Sequence, residues 1–323
     1  MEMTYLDAIR QGLWEEMERD PNVFLIGEDI GIYGGAFKVT KGLLERFGER
    51  RVVDTPISES AIVGAAIGAS FCGLRPVAEM QFSDFITCAF DQIVNYAAKC
   101  RYRWNAGVPI VVRAPSGGGI HGGPFHSQNP EAWFTHVAGL KVIAPATARD
   151  ARGLIKSAIR DNDPVLFFEH KALYRKIKED LPEEEYTVPI GKARVHREGT
   201  GLTMITYAAM VYVAQEAAET LEKEGISVEI IDLRTLLPLD EEAILTSVKK
   251  TSKVIVLHED VMTGGLGGEV AARISEKAFE YLDGPVVRIA APDTPVPYSP
   301  TLEAAFLPNA KDVANKAREL YRY

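Results

Sequence analysis

Short runs of β-branched and aromatic residues alternate along the chain with longer segments in which apolar positions recur at helical spacing. The first half contains five strand-like runs, NVFLIGED, RPVAEMQF, VPIVVRAP, LKVIAPA and PVLFFEHK. Helix candidates lie between them at 59–72, 84–103 and 148–160. Strands that alternate with helices predict a parallel sheet with helices on both faces, so this half is expected to be an α/β domain.

The pattern restarts after a polar, acidic stretch at 176–193, which contains two prolines and lacks an apolar period. Four more strand-like runs follow, LTMITYAAM, SVEIIDLRTLLPLD, KVIVLHED and PVVRIAAPDTPVPYS. They are separated by helix candidates at 212–224, 241–250 and 268–282. We therefore predict two α/β domains: 1–180, a linker at 181–194, and 195–323.

Length and charge agree with two domains and exclude some classes of partner. A chain of 323 residues is long for a single core. Its 36 basic and 45 acidic residues give a net charge of −9, which repels nucleic acid and anionic lipid, and no long basic run reverses it. No window of 18 apolar residues occurs, so no membrane span is expected.

Cysteine usage and the first residues favour a cytoplasmic location. Cys72, Cys88 and Cys100 are odd in number and unequally spaced, unlike a disulfide framework or a metal clip. The opening MEMTYLDAIRQGLWEEMERDP has the pattern of an amphipathic helix with acids, and not that of a basic signal peptide. A presequence removed earlier stays an open alternative.

Glu59 lies at the start of a predicted helix of small residues, AIVGAAIGAS. Ser58 as a helix cap and Glu59 at the positive helix end would account for both residues without any function. The two glycines cost the helix roughly 1 kcal/mol each, which close packing against another backbone would offset. A carboxylate at a dry junction needs a hydrogen-bond donor, and a ligand could provide it.

Three further stretches each have two explanations. Gln81, Phe82 and Phe85 follow a strand, where parallel sheets bind ligands, but aromatics also fill cores. The loop at 115–136 has five glycines within seven positions and carries His121 and His126, with His136 downstream. This spacing matches no zinc pattern and suits proton transfer, or else a solvated loop. The glycine turn at 263–274 lacks the spacing of a nucleotide site, so packing or subunit contact is favoured.

Taken together, these motifs resemble the beta subunit of the two-chain thiamine-diphosphate-dependent 2-oxo acid dehydrogenases. The likeness runs from end to end through LIGEDIGIYGGAFKVTKGL, DTPISESAIVGAAIGA, GLRPVAEMQF, HSQNPEAWF, AGLKVIAPAT and DLRTLLPLD. It implies a transketolase-like pyrimidine-binding domain, a parallel sheet flanked by helices, followed by a C-terminal transketolase-like α/β domain.

The resemblance implies a role for the glutamate that opens the small-residue helix. In that family the glutamate of PISE, here Glu59, bonds N1′ of the cofactor's aminopyrimidine and promotes removal of the thiazolium C2 proton. The cofactor then decarboxylates a 2-oxo acid and passes the acyl unit to a lipoyl arm. By the same match Ile57 and Gln81 would line the pyrimidine pocket, and Phe85 would pack on its ring.

Two further assignments follow from the resemblance. His126 of HSQ matches a histidine implicated in proton transfer during reductive acylation, whereas His121 receives no role. The segment 158–164 resembles a structural potassium site, with oxygen ligands that suit a hard cation. Its ligands would be the carbonyls of Ile110, Ala158, Ile159 and Asp163 and the carboxylate of Asp161. An ordinary helix-to-strand turn is the alternative, because Asp and Asn favour turns.

The family's diphosphate- and magnesium-binding signature, Gly-Asp-Gly followed by a downstream Asn, occurs nowhere in the chain. The resemblance therefore implies half an active site, completed by an alpha subunit that holds the diphosphate and Mg²⁺ in an α2β2 heterotetramer. The C-terminal domain would serve beta–beta pairing and docking to the lipoyl-acyltransferase core. A branched-chain 2-oxo acid is the favoured substrate, with pyruvate or acetoin as alternatives. A sugar-phosphate transketolase or synthase, and a non-catalytic scaffold, are the competing hypotheses.

Overall fold

The computed structural model describes all 323 residues, which form two compact units. The first unit comprises Met1–Ser116 and Trp133–Ile190. The second unit comprises Gly117–Ala132 and Gly191–Tyr323, so it includes a short segment that the chain contributes from within the sequence of the first.

Strands and helices alternate along most of the chain. The strands are β1 Glu2–Thr4, β2 Val23–Gly27, β3 Val52–Asp54, β4 Arg75–Glu79, β5 Val111–Ser116, β6 Lys141–Ile143, β7 Val165–His170, β8 Lys178–Asp180, β9 Arg194–Arg197, β10 Leu202–Thr206, β11 Val228–Asp232, β12 Thr235–Leu237, β13 Val254–Val261 and β14 Val287–Ala291. The α-helices are α1 Tyr5–Arg19, α2 Leu43–Phe47, α3 Glu59–Phe71, α4 Ala98–Trp104, α5 Glu131–Thr135, α6 Ala148–Arg160, α7 Met210–Glu222, α8 Glu241–Thr251, α9 Leu266–Ala278, α10 Pro300–Phe306 and α11 Ala310–Tyr321. Short 3-10 turns and one π-helical turn, Gln92–Ala97, connect some of them.

Six parallel strands of the first unit are hydrogen-bonded in the order β6-β7-β5-β4-β2-β3. The chain leaves β2 towards β3 on one side and leaves β4 towards β5 on the other. The strand order therefore reverses between β2 and β4. In open parallel sheets, ligands bind at the carboxyl ends of the strands where this reversal occurs.

The second unit has a five-stranded sheet in the order β14-β13-β10-β11-β9. The sheet is parallel except for β9, which runs antiparallel to β11. Here too the order reverses, because β10 leads to β11 on one side and β13 leads to β14 on the other. Residues from β10, β11, β13, α7 and α11 bury one apolar core.

Three predicted elements differ from the sequence pattern in detail. The opening segment is not all helix: Glu2–Thr4 form β1, and α1 begins where Thr4 accepts a hydrogen bond from the Asp7 amide at 3.0 Å. The polar stretch at 176–193 includes β8, which pairs with β1. The candidate helix at 84–103 is a 3-10 turn, a π turn and α4 in succession. The spacing of apolar residues does not distinguish these three helix types from one another.

A fully buried arginine crosses three strands of the first sheet. Arg113 on β5 donates to Glu169 on β7 at 2.6 and 2.8 Å and to Glu79 on β4. Tyr174 also donates to Glu169, at 2.7 Å. Burial alone would lower the pKa of Arg113, but the charges of Glu169 and Glu79 outweigh it and raise that pKa. The arginine therefore stays charged and neutralises carboxylates that the sheet has removed from water.

No helix of this chain is both long and apolar enough to cross a lipid bilayer. Cys72, Cys88 and Cys100 are free thiols, of which only Cys100 is buried. The three residues therefore contribute no covalent cross-link within the chain.

Replacing Arg113 with leucine should lower the free energy of unfolding by about 3–5 kcal/mol, because Glu79 and Glu169 would stay buried without a cation. Urea denaturation at neutral pH would measure the change. Arg46→Leu is the matched control, because Arg46 pairs with Glu18 at the surface and should cost no more than about 1 kcal/mol. Equal losses in the two variants would contradict the role of Arg113.

Candidate active site

Carboxylate and amide side chains converge where the strand order of the first sheet reverses. Glu28 directly follows β2, Gln81 follows β4, and Glu59 opens α3 shortly after β3. Because β4, β2 and β3 are neighbours and parallel, their carboxyl ends lie along one edge. We call Glu28, Asp29, Glu59 and Gln81 the carboxylate edge.

Glu28 and Glu59 interact electrostatically at this edge. Glu28 is 5% exposed, and its Oε1 accepts a hydrogen bond from the Ser58 amide at 3.3 Å. Burial is the main cause that raises the pKa of Glu28, and the charge of Glu59 raises it further. Neither carboxylate forms an ion pair within the chain. Glu28 therefore favours a proton, or a hydrogen-bond donor from outside the chain.

The start of α3 does not use the Ser58 cap that was one of the two explanations for this segment. Ser58 occupies the cap position, but its side chain makes no cap hydrogen bond and donates instead to the Pro56 carbonyl at 3.0 Å. The Ser58 amide is engaged by Glu28. Helix capping therefore does not account for Ser58. Glu59 occupies the first helical position, and its side chain is half-buried.

Gln81 is held in place by the residue that follows Glu28. Its amide nitrogen donates to Asp29 Oδ2 at 2.9 Å. Asp29 has a φ of 57°, an uncommon conformation for a residue other than glycine. This turn directs the chain away from β2 just beyond Glu28, and the amide–carboxylate bond links the ends of β2 and β4.

Apolar side chains flank the carboxylate edge. Phe85 is half-buried and packs edge-on against Phe82, whose ring in turn contacts Phe37. Ile57 precedes Ser58 and is 82% exposed. The sequence offered a core role and a ligand role for these aromatics, and the structure gives Phe82 internal partners while Ile57 faces solvent.

The small-residue face of α3 is not filled by the chain itself. A Cβ atom added at Gly64 would meet only Gln92, at 3.9 Å, and one added at Gly68 would meet nothing within 4 Å. Ala61 and Ala65 on the same helix are exposed. Packing within this chain therefore does not explain why α3 is built from small residues.

His126 belongs to the second unit, in a loop at 117–130 that we call the histidine loop. The loop is held by carboxylates of the same unit: Glu259 Oε1 accepts from the Gly118 amide at 2.6 Å and from Asn129 at 2.9 Å. His126 is half-buried, and its amide donates to the Gly123 carbonyl at 3.3 Å. The loop is thus ordered by hydrogen bonds, unlike the solvated loop that the sequence left open.

Buried acids lie where the histidine loop meets the second sheet. Glu131 is 2% exposed, and its Oε1 accepts from the Tyr207 hydroxyl at 2.8 Å, at the end of β10. Its Oε2 is buried without a hydrogen-bond partner. Burial, and next the charge of Asp260, raise the pKa of Glu131 to about 8. Burial is also the main cause that raises the pKa of Asp260 to about 6.

Packing accounts for the glycine turn at 263–274. His258 on β13 is fully buried, and Cβ atoms at Gly265 and Gly267 would each lie 2.6 Å from its ring. Burial lowers the pKa of His258 to about 4, so the ring is neutral. The neighbouring Glu259 faces the histidine loop, where it accepts from the Gly118 amide.

Four of the five predicted potassium ligands, the carbonyls of Ile110, Ala158 and Ile159 and the carboxylate of Asp161, already accept hydrogen bonds from groups of the chain. Arg75 donates to the carbonyls of Ile159 and Asp161 at 2.9 and 2.8 Å. Lys141 donates to the Asp161 carboxylate at 2.5 Å, and Arg101 pairs with Asp163. The carbonyls of Ala158 and Ile110 accept from the amides of Asp161 and Val165. The arrangement favours the protein's own cations, and a potassium ion here stays a prediction.

Two family profiles match the chain along most of its length. The transketolase pyrimidine-binding domain matches residues 1–176, and the transketolase C-terminal domain matches residues 191–313. A solved structure described as a split gene transketolase, inactive beta4 tetramer, has a TM-score of 0.82 and covers 99% of this chain and 98% of that chain. At 24% identity this likeness shows a shared fold.

Curated relatives decide the family. The 2-oxoisovalerate dehydrogenase subunit beta of Bacillus subtilis is 54% identical over 99% of both chains. The pyruvate dehydrogenase E1 component subunit beta of the same organism is 46% identical over 100% of this chain and 99% of its own. The chain belongs to the 2-oxo acid dehydrogenase E1 beta subunits. The resemblance drawn from the motifs, and the transketolase-like α/β fold that it implied, are confirmed.

E1 beta subunits work with an alpha subunit, and their family uses thiamine diphosphate. In this E1 beta chain, the sequence predicted cofactor-binding roles for four residues that all belong to the first unit, Glu59, Gln81, Phe85 and Ile57. It missed Glu28, although a carboxylate directly after a parallel strand was a usable signal.

The raised pKa of Glu131 predicts how the stability of the chain depends on pH. The folded chain keeps a proton on Glu131 that the unfolded chain releases near its ordinary value of 4.5. The resulting stabilisation is complete below that value and is lost as pH rises through about 8. Between these two pH values, the free energy of unfolding of wild type should fall by up to about 1.4 kcal/mol per pH unit relative to that of Glu131→Gln, because the glutamine stays neutral.

Urea denaturation at several pH values would test this, with Glu280→Gln as a control at an exposed position. The control should follow wild type. Parallel pH profiles for wild type and Glu131→Gln would show that Glu131 does not carry the proton.

Proposed function

We propose that this chain is the beta subunit of the decarboxylating component of a 2-oxo acid dehydrogenase complex. In this role it takes part in thiamine-diphosphate-dependent oxidative decarboxylation of a 2-oxo acid and reductive acylation of a lipoyl group. A branched-chain 2-oxo acid is the favoured substrate, with pyruvate or acetoin as the alternative. The 54% identity to a 2-oxoisovalerate dehydrogenase beta subunit, against 46% to a pyruvate dehydrogenase one, supports this preference.

The pair Glu28–Glu59 is the observation that carries the proposal. The two side chains lie at the reversal of the first sheet, each charge opposes the other, and no cation of the chain neutralises them. An N–H group of a bound ring would relieve this repulsion. The pyrimidine of thiamine diphosphate offers such a group at N1′ when it is protonated there, as in its imino tautomer, so the residues present fit the cofactor.

Two residues of the carboxylate edge and two apolar side chains beside it have roles in this arrangement. Glu59 would accept the hydrogen bond from ring atom N1′ and hold the proton there. Glu28 fixes the Ser58 amide, and with it the start of α3. Ile57 and Phe85 would exclude water from the ring faces, because both present apolar surface beside the carboxylates. The cofactor, when bound, supplies the carbon nucleophile for decarboxylation.

The remainder of the catalytic unit comes from a partner in this proposal. The diphosphate- and magnesium-binding signature is missing from the sequence, so an alpha subunit would hold the diphosphate and Mg²⁺ in an α2β2 heterotetramer. The open face of α3 supports an interface, because it presents alanine and glycine with nothing of this chain against Gly68. His126 would act in acyl transfer to the lipoyl group of the acyltransferase core.

Glu59→Gln should lower the rate of decarboxylation at least ~100-fold in the assembled enzyme, because an amide cannot hold the proton of N1′ as a carboxylate does. Ferricyanide reduction with a 2-oxo acid would measure this step without a lipoyl acceptor. Size-exclusion chromatography should show unchanged assembly.

Glu45→Gln is the control, because Glu45 is exposed on α2. It should retain the wild-type rate. A wild-type rate in Glu59→Gln would instead favour a scaffold in which Glu59 is an ordinary helix-end acid.

The purified chain alone should show negligible binding of thiamine diphosphate by calorimetry and no turnover, because it lacks the diphosphate signature. Coexpression with an alpha subunit should restore both. A panel of branched-chain 2-oxo acids, pyruvate and acetoin would then identify the substrate, with the branched-chain acids expected to react fastest. Tight cofactor binding by the isolated chain would contradict the half-site.

A further inference from the structure

One buried carboxylate holds the middle of the histidine loop. Glu303 lies on α10 and is 1% exposed. Its Oε1 accepts from the Gly119 amide at 2.9 Å, and its Oε2 accepts from the His121 amide at 3.2 Å. The same Oε2 lies 2.6 Å from His121 Nδ1. Three contacts of one side chain therefore hold two residues of the loop, Gly119 and His121.

The backbone at His121 depends on these contacts. His121 has a φ of 59°, in the left-handed region that residues with a Cβ atom visit at some cost. Such a conformation persists when the surroundings determine it. Glu303 bonds both the amide and the ring of His121, so it opposes relaxation of this residue to an extended conformation.

The contact with Nδ1 also determines which ring nitrogen carries the proton. A histidine whose Nδ1 donates to a carboxylate is held in the Nδ1–H tautomer, and Nε2 becomes the acceptor. The His121 side chain is 53% exposed, whereas that of Glu303 is 2% exposed. Glu303 thus holds one side of the ring while the rest of the ring faces outward.

The loop is supported on both sides of His121. On one side, the Gly118 amide donates a hydrogen bond to Glu259. Gly123 has a φ of 68°, and a Cβ atom there would lie 2.4 Å from the ring of Tyr298. Since Tyr298 lies two residues before α10, the loop packs against the segment that leads into the helix carrying Glu303. This segment therefore contacts the loop from Gly119 to Gly123, shortly before His126.

We propose that Glu303 is a positioning residue for the reaction with the lipoyl acceptor: it fixes the tautomer and orientation of His121 and the histidine loop that carries His126. The inference rests on the proposed function for its reaction. It goes beyond that function by giving roles to Glu303 and His121. Decarboxylation itself is not expected to depend on Glu303, since its contacts are with the histidine loop.

The test uses the enzyme assembled with its alpha subunit and two electron acceptors, a purified lipoylated domain and ferricyanide. Glu303→Gln should lower the rate with the lipoylated domain about 10- to 100-fold, because hydrogen bonds to a charged group are lost. The rate with ferricyanide should change less than about twofold. Glu303→Asp keeps the charge and should recover part of the loss, while Glu276→Gln, at an exposed position on α9, should match wild type.

Two further measurements separate positioning from general stability. Hydrogen exchange of the amides at 117–125 should accelerate about tenfold in Glu303→Gln, and exchange in α7 should not change. His121→Ala and Glu303→Gln should be non-additive in a double-mutant cycle measured with the lipoylated domain, because Glu303 acts through His121.

Equal losses with both acceptors, additive effects in the cycle, or unchanged exchange at 117–125 would each overturn the positioning role. A wild-type enzyme that decarboxylates no 2-oxo acid would instead overturn the proposed function. Hydrogen exchange would in that case still decide whether Glu303 holds the loop.

Discussion

The reversal of strand order between β2 and β4 is the constraint on which the carboxylate edge depends. Connections that leave two neighbouring parallel strands in opposite directions leave a crevice at the carboxyl ends of those strands. Glu28 and Gln81 follow the two strands that border it, and Glu59 follows the strand beside them. The positions of these side chains are thus set by topology.

The second sheet has the same reversal and uses it differently. β10 and β13 border the corresponding crevice, and residues at their ends contact the histidine loop and Glu131 instead of facing a ligand. A segment of the chain thus occupies a position that the first unit keeps open. In this arrangement Glu131 is buried without a cation beside it, and burial raises the pKa of its carboxyl group.

Local patterns predicted the elements well because each strand and helix is encoded by neighbouring residues. Strand and helix alternation, the start of α3 at Glu59 and the placement of Gln81 after a strand could all be derived in this way. Contacts between distant residues could not: Glu303 reaches the His121 amide across 182 positions. The same reason explains why the sequence indicated two histidines in the loop but not the carboxylate that orients one of them. For α3, the pattern of small residues predicted close packing, and only the structure shows that this chain does not provide it.

Two sets of carboxylates in the first sheet differ in whether the chain supplies a cation to them. Glu79 and Glu169 are buried and share Arg113, which satisfies both within the sheet. Glu28 is also buried, yet its charged neighbour is Glu59, and neither has an arginine or lysine partner. The chain can therefore place a cation between two strand carboxylates, and it does so one strand away from the crevice. It does not do so at the reversal itself, and in the proposed function the N–H group of the bound cofactor takes the place of that cation.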